Sequence, residues 1–191
     1  MKIGILALQG AFVEHMSALQ QLAVEASLIR LPSELGSLDG LIIPGGESSS
    51  ILKLMQDFKL VQPLREIAQT GFPLWGTCAG MICLAKKISN SNMETLAVMD
   101  MEVSRNAFGR QADSFETELP MPALGNKPFP AVFIRAPIIT RASPQVEILA
   151  NLPNGNAVAA RQGKLLVSAF HPELSHDLRF HSYFMKIVAS N

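Results

Sequence analysis

Cysteine is scarce in this chain: Cys78 and Cys83 are the only two in 191 residues. That leaves too few thiols for a zinc cluster, and a disulfide between them is awkward because five positions along a helix turn the two side chains apart. A free thiol is the expected state of both. An excess of either charge is also missing. Lys+Arg and Asp+Glu number 16 each, so no overall positive field exists to gather nucleic acid or an anionic membrane surface. No apolar run reaches the roughly 18 residues that cross a bilayer, because Arg, Pro or Gly interrupts each one. The opening MKIGILALQGAFVEH is broken at Gln9 and Gly10 and has no small-residue cleavage pattern, so it reads as a first strand and not a signal. Repeats, low-complexity tracts and long linkers are absent as well. What remains, 48% hydrophobic and 17% charged, predicts one soluble domain over 1–191 in the cytoplasm, acting on a small polar substrate or with a protein partner.

The apolar run KIGILAL, ending at Gln9-Gly10, predicts a strand, and Phe12, Met16 and Leu19 then recur at helical spacing. VEASLIRL and DGLIIP are further strand candidates, rich in branched residues and closed by proline. SILKLMQDF and PLREIAQ read as helices around a break at Pro63, and Gly71 stops the second before the apolar PLW. Strands alternating with helices argue for an α/β fold with a mostly parallel central sheet buried on both faces. Beyond the helix after Cys78 come short strand-like segments: TLAVMDMEVSRN, FETELP, AVFIRAPI, VEILANL, AVAARQ and KLLVSAF. They predict antiparallel additions and hairpins, followed by a terminal helix over 177–190.

Gly76, Thr77, Cys78, Ala79 and Gly80 fit G-x-C-x-G, the cysteine form of the nucleophile elbow, after a buried strand and before a helical stretch. An abrupt strand-to-helix turn strains the backbone at the nucleophile, and glycines on either side avoid collisions. The helix N-terminus favours thiolate, and the Ala79 N–H is placed to receive an oxyanion. The alternative reading is a small core cysteine. Cys83, between Ile82 and Leu84, reads as core. A cysteine nucleophile needs a base, and of His15, His171, His176 and His181 only His171 follows directly on an apolar strand and has a carboxylate two residues on. In extended backbone that spacing projects both side chains to one side, so Glu173 can orient the imidazole. His176 and His181 read as surface or packing residues on the terminal helix, and His15 as an outside candidate. IIPGGESSS ends another strand with a glycine pair. It lacks the G-x-x-x-x-G-K-[ST] spacing of a phosphate loop, and Glu47 repels phosphate. Gly46 can instead supply a second oxyanion donor, with Ser48 or Ser49 capping the next helix. In parallel sheets ligands bind beyond the carboxyl ends of strands, where these loops converge. Together they suit attack on a carbonyl through a tetrahedral intermediate and a thioester.

Carrying these motifs, together with LALQGAFVEH, SRNAFGRQADSFE at 104–116, VFIRAP at 132–137 and AFHPELSHD at 169–177, the chain resembles the class I (triad) glutamine amidotransferases. Within them it is most similar to the glutaminase subunits of pyridoxal phosphate synthase, and the likeness covers nearly the whole length. GTCAG and the H-P-E segment are general to triad amidotransferases, whereas RNAFGRQ, VFIRAP and LQGAFVEH are specific to this subunit. The resemblance implies a three-layer fold with helices on both faces of the sheet. It implies Cys78 as nucleophile, His171 as general base and acid, Glu173 as third member, and an oxyanion hole at Gly46 and Ala79. It implies L-glutamine contacts at Gly46, Glu47, Ser48, Arg105, Ile134 and Arg135, with neither metal nor cofactor. Glu47 and Arg105 complement the ammonium and carboxylate of an amino acid. A synthase partner in a large hetero-oligomer, receiving the ammonia for vitamin B6 synthesis, is the further implication. Serines at 49, 50 and 175 and tryptophan at 75 depart from the family's commoner threonine and phenylalanine without removing a reacting group. Two other readings stand beside it: a cysteine peptidase or γ-glutamyl hydrolase on the same scaffold, and a catalytically idle binding module.

Overall fold

The computed structural model describes residues 1–108 and 114–190. Its strands are β1 (Lys2–Leu6), β2 (Glu25–Ile29), β3 (Gly40–Ile43), β4 (Leu74–Thr77), β5 (Ala85–Ile88), β6 (Met99–Ser104), β7 (Ser114–Leu119), β8 (Phe129–Ile134), β9 (Ile138–Ala142), β10 (Glu147–Asn151), β11 (Ala157–Gln162) and β12 (Leu165–Ser168). The α-helices are α1 (Phe12–Gln21), α2 (Ser48–Asp57), α3 (Val61–Gln69), α4 (Ala79–Leu84) and α5 (Arg179–Ala189). Among the described residues ten strands form one sheet in the order β2-β1-β3-β4-β12-β11-β9-β6-β5, with β10 beside β11. The block β2-β1-β3-β4-β12 is parallel throughout. The antiparallel additions expected from the second half are β12-β11, β11-β10, β11-β9 and β9-β6. Strands β7 and β8 make a separate antiparallel hairpin.

Strands β3 and β4 show why the parallel block holds together. GLII and LWGT are buried at every position, as strands covered on both faces must be. Alternation along β4 shows what covers each face. Trp75 turns toward α1 and α5, meeting His15, His181, Phe180 and Phe184 with ring centroids 4.9 to 5.5 Å away. Gly76 faces the other way, where a Cβ would collide with the backbone of Gly80 on α4. A Cβ on Gly80 would in turn collide with the Ile43 carbonyl of β3. The two elbow glycines thus let α4 lie directly on β3 and β4, and helices cover both faces.

Three local expectations differ from the structure. The break between α2 and α3 falls at residues 58–60, where Lys59 takes φ 58°, and Pro63 is the third residue of α3. Proline is tolerated in a first turn, whose N–H groups have no helical acceptor. The helix after Cys78 is shorter than AGMICLAKK suggests, because from Ala85 the chain becomes strand β5 paired with β6. Helix α2 is capped by Glu47, whose carboxylate accepts the N–H groups of Ser49 and Ser50. Ser48 is the first helical residue, so the expected serine cap does not form. The terminal helix, expected over 177–190, is α5.

Candidate active site

The carboxyl ends of the parallel strands bring the chemical groups together. Gln9 lies beyond β1, residues 45–48 beyond β3, Cys78 beyond β4 and His171 beyond β12. Cys78 is fixed by its neighbours: its N–H donates to the Ser168 carbonyl of β12 at 2.7 Å, and its backbone takes φ 48°, ψ −103°. For a residue with a Cβ this is a strained conformation, costing about 1–3 kcal/mol. The buried strand register and the glycine-enabled seating of α4 hold it. Ala79 opens α4, so its N–H is among those that helix geometry leaves without an intrahelical acceptor. Because α4 spans only six residues, that free N–H matters more than a summed helix dipole.

His171 sits in place by two hydrogen bonds. Its backbone N–H donates to the Val132 carbonyl of β8 at 2.8 Å, and its Nδ1 lies 2.7 Å from Glu173 Oε1. Glu173 reaches it from a 3-10 turn, Pro172–Leu174, and not from the extended backbone that the two-residue spacing suggested. With Nδ1–H donated to the carboxylate, Nε2 is left for the thiol. Burial disfavours a charged imidazole, yet hydrogen bonds to Cys78 and Glu173 and the charges of both outweigh it and raise His171 to about 10. Glu173 stays ionised: burial pushes its carboxyl up, but His15 and His171 outweigh burial and hold it below the ordinary range. A histidine raised this far keeps the proton it takes from Cys78, so the thiolate is paired with an imidazolium that can later protonate a leaving group. Gly45 completes the approach, since a Cβ there would collide with His171 Cε1 and stand 3.3 Å from Cys78 Cβ.

Cys78, Ala79 and His171 open into a cavity of about 420 Å³ that is also lined by Gly46, Glu47, Ser48, Arg105, Ile134 and Arg135. Each predicted glutamine-contact residue therefore lies in one cavity with the candidate nucleophile. A larger groove of about 940 Å³ lies outside it, lined by residues 174–179 and part of β8, and contains neither cysteine nor the His171 ring. The Cys78 thiol donates to the Ile134 carbonyl at 3.8 Å, so Ile134 presents backbone to the site while 38% of its surface is exposed. Arg135 and Asn106 take φ 44° and 47°, two further strained turns on the rim of the same cavity.

The two charged residues expected to grip the ends of an amino acid are paired with each other. Arg105 Nη2 lies 3.1 Å from Glu47 Oε1, and Glu47 also accepts from Ser49 Oγ and from the N–H groups of Ser49 and Ser50. These hydrogen bonds, led by that from the Ser49 hydroxyl, hold Glu47 down to about 2. The cavity thus presents a preformed ion pair of one guanidinium and one carboxylate. Residues 109–111 of RNAFGRQ lie outside the described residues. Gln9 was not singled out from the sequence: its Oε1 accepts the Glu47 N–H at 2.8 Å, and it lines the cavity. Its place one residue before the glycine that ends the first strand run was the available signal.

Gly45 also fixes the backbone beside the proposed oxyanion donor. Its carbonyl accepts the Ala11 N–H at 3.0 Å, and a planar trans peptide then directs the Gly46 N–H to the opposite side. The other histidines part ways. His181 is buried on α5, and His15 is buried on α1 with Nε2 3.4 Å from Glu173 Oε2, behind the carboxylate and not beside the thiol. Cys83 is wholly buried, and burial pushes its thiol up to about 12, which suits a core residue.

A strained cysteine, a histidine held by a carboxylate and free backbone N–H groups at a parallel sheet edge are the parts of an acyl-transferring cysteine enzyme. The sequence matches the SNO glutamine amidotransferase family over residues 5–190. The pyridoxal 5'-phosphate synthase subunit PdxT of Dehalococcoides mccartyi is 56% identical over 190 residues, spanning 98% of this chain and 97% of that protein. The subunit of that name from Carboxydothermus hydrogenoformans is 55% identical over 188 residues, or 98% of each chain. A crystal structure of a glutamine amidotransferase, 45% identical, matches with a TM-score of 0.93 over 98% of this chain and 99% of its own. A putative GMP synthase protein from Thermoplasma acidophilum, 17% identical, shares the fold with a TM-score of 0.73 over 99% and 94%. This chain belongs to the SNO glutamine amidotransferase family, and it is an enzyme of that class.

Proposed function

We propose that the chain is the glutaminase subunit of a pyridoxal phosphate synthase, hydrolysing L-glutamine to L-glutamate and ammonia through a thioester on Cys78. The observation that carries this reading is the shared cavity, in which a strained Cys78 and the His171–Glu173 pair face residues suited to a free amino acid. His171 Nε2 takes the Sγ proton, and the thiolate attacks the side-chain carboxamide carbon of glutamine. The oxyanion is received by the N–H groups of Ala79 and Gly46. As the tetrahedral intermediate collapses, the C–N bond breaks and His171 protonates the leaving ammonia. Water then attacks the thioester, giving its proton to His171, and the C–S bond breaks to release glutamate. The proton returns to Sγ. Arg105 and Glu47 hold the α-carboxylate and α-ammonium, and the carbonyl of Ile134 and the strained turn at Arg135 shape the wall between them.

Ammonia made in this cavity is consumed by a synthase partner in a large hetero-oligomer. That pairing agrees with relatives named as subunits of one synthase, covering 98% of this chain. No described helix is long and apolar enough to cross a membrane, and both cysteines are free thiols, in keeping with work in the cytoplasm. Replacing Cys78 separates the two halves of the reaction. With the synthase present, Cys78→Ala abolishes pyridoxal phosphate formation from glutamine and leaves formation from added ammonium salt within twofold of wild type. Loss of both would contradict the division of labour. Glutamine-driven synthesis surviving in Cys78→Ala would contradict the nucleophile.

A further inference from the structure

Behind Glu173, on the side away from Cys78, lies a buried group of polar side chains that the thioester mechanism leaves without a task. His15 of α1 and His181 of α5 are both 0% exposed. His15 Nε2 is 3.4 Å from Glu173 Oε2 and 3.3 Å from Oγ1 of Thr77, the residue before Cys78. His15 Nδ1 is 3.0 Å from His181 Nε2. Thr77 of β4, His181 of α5 and the Glu173 carboxylate thus all meet the ring of His15. Among the described residues no His, Cys, Asp or Glu trio is arranged to hold a metal ion.

The positions of the protons follow from what burial penalises. Glu173 Oε1 is engaged by His171, whereas Oε2 is buried without an aligned donor, and an unpaired buried carboxylate oxygen is costly. If His15 carries its proton on Nε2, that N–H faces Glu173 Oε2 and Thr77, and Nδ1 accepts from His181 Nε2–H. The one atom left over is His181 Nδ1, buried without a partner, which then holds only a lone pair. The opposite tautomers leave an N–H orphaned at that atom and aim a lone pair of His15 at the carboxylate. Orphaned N–H groups are the rarer and costlier defect. The groups facing His15 are Glu173 and His171 from the turn after β12, His181 from α5, Thr77 from β4 and Glu14 from its own helix. Burial keeps the imidazole neutral in both, lowering His15 and bringing His181 to about 3.

We propose that His15 is a positioning residue of the glutaminase reaction: its Nε2–H holds the outer oxygen of Glu173, and His181 fixes the tautomer that makes this possible. The inference rests on the assignment of Cys78, His171 and Glu173 above. The line of contacts runs from Cys78 through His171, Glu173 and His15 to His181, with 3.4 Å and no aligned hydrogen bond between Glu173 Oε2 and His15 Nε2. A carboxylate hydrogen-bonded to His171 at one oxygen and faced by the His15 Nε2–H at the other is restrained from rotating away, so the His171 imidazolium keeps its counterion. A leucine at position 15 would fill similar space and supply no donor. Glutamine can bring its amide nitrogen to the place of Nε2, whereas asparagine can reach only the place of Nδ1.

The test compares His15→Gln, His15→Asn and His15→Leu, each measured for glutamine turnover with the synthase present and for the pH dependence of Cys78 alkylation by iodoacetamide. His15→Leu and His15→Asn are expected to lower kcat at least tenfold with KM within twofold, and to shift the alkaline limb of alkylation to lower pH. His15→Gln is expected to stay within threefold of wild type with its limb restored. Equal behaviour of the Gln and Asn variants, in rate and in limb, overturns the proposal even if the Leu variant does not fold. Glu173→Gln separates the inference from its foundation. If that substitution moves the limb and the His15 series does not, His15 is packing and the triad stands. If Glu173→Gln also leaves rate and limb unmoved, the triad assignment itself is wrong.

Discussion

Replacing Glu173 by glutamine removes a charge and keeps the shape, which makes it the most informative single perturbation of the site. In the native protein Glu173 Oε1 accepts from His171 Nδ1 at 2.7 Å, and this contact helps to raise His171 to about 10 against a burial effect that lowers it. Glutamine can still accept that hydrogen bond but gives no counterion. Loss of a nearby opposite charge lowers a buried cation by roughly 1–3 pH units. At about 1.4 kcal/mol per unit this is roughly 1.4–4 kcal/mol, so towards pH 10, where the wild type still holds the imidazolium and the variant has lost it, kcat falls roughly tenfold to a thousandfold. The direction with pH is fixed as well. A histidine whose folded value exceeds its unfolded one adds stability that is complete below the ordinary range near 6.5 and lost as pH rises through about 10. Glu173→Gln should therefore lose activity at the alkaline end sooner, and its unfolding free energy should fall less between pH 6.5 and 10 than that of the wild type. Steady-state glutaminase assays from pH 6 to 10.5, with denaturant unfolding at the same pH values, measure both. A kcat within twofold of wild type and an unmoved alkaline limb would refute the coupling between carboxylate and imidazole.

Two other substitutions probe separate parts of the cavity. Gly45→Ala places a methyl group against Cε1 of His171 and 3.0 Å from its Nδ1, and a displacement of about 1 Å at a reacting group costs on the order of a hundredfold; glutaminase activity near wild type with the fold retained by circular dichroism would show the ring is not so confined. Arg105→Ala breaks the pair with Glu47 and removes a charged donor worth about 1.5–3 kcal/mol, so KM for glutamine should rise at least tenfold while kcat stays within threefold. An unchanged KM in steady-state kinetics would remove Arg105 from the binding site.

Much of this arrangement was readable before any coordinates. The β1–α1–β2–β3 succession follows from apolar runs closed by glycine or proline, and the elbow at Cys78 from two glycines whose need the packing of α4 on β3 and β4 explains. Where reading failed, a tertiary partner decided the local outcome. AKK leaves the helical register because β6 offers Ala85, Lys87 and Ile88 a parallel neighbour, which no local propensity announces. Glu47 takes the cap expected of a serine because its carboxylate folds back on two N–H groups while Arg105, 58 residues away, neutralises it. Pro63 looked like a boundary, but the positive φ at Lys59 ends the earlier helix first. His15 stood only as an outside candidate because its significance depends on a carboxylate from the far end of the chain. Spacing within a sequence shows which residues share an element; it does not show which elements meet behind a side chain.

In the proposed reaction Cys78 attacks the side-chain carbonyl of bound glutamine. The direct measurement is covalent trapping with a glutamine-analogue electrophile, followed by peptide mass spectrometry, with and without excess glutamine and in the presence of the synthase. A single adduct on Cys78 is expected, suppressed by glutamine and absent in Cys78→Ala, with Cys83 unlabelled. An adduct formed equally well in the presence of glutamine, or one carried by Cys83 or another residue while Cys78 stays free, would contradict it.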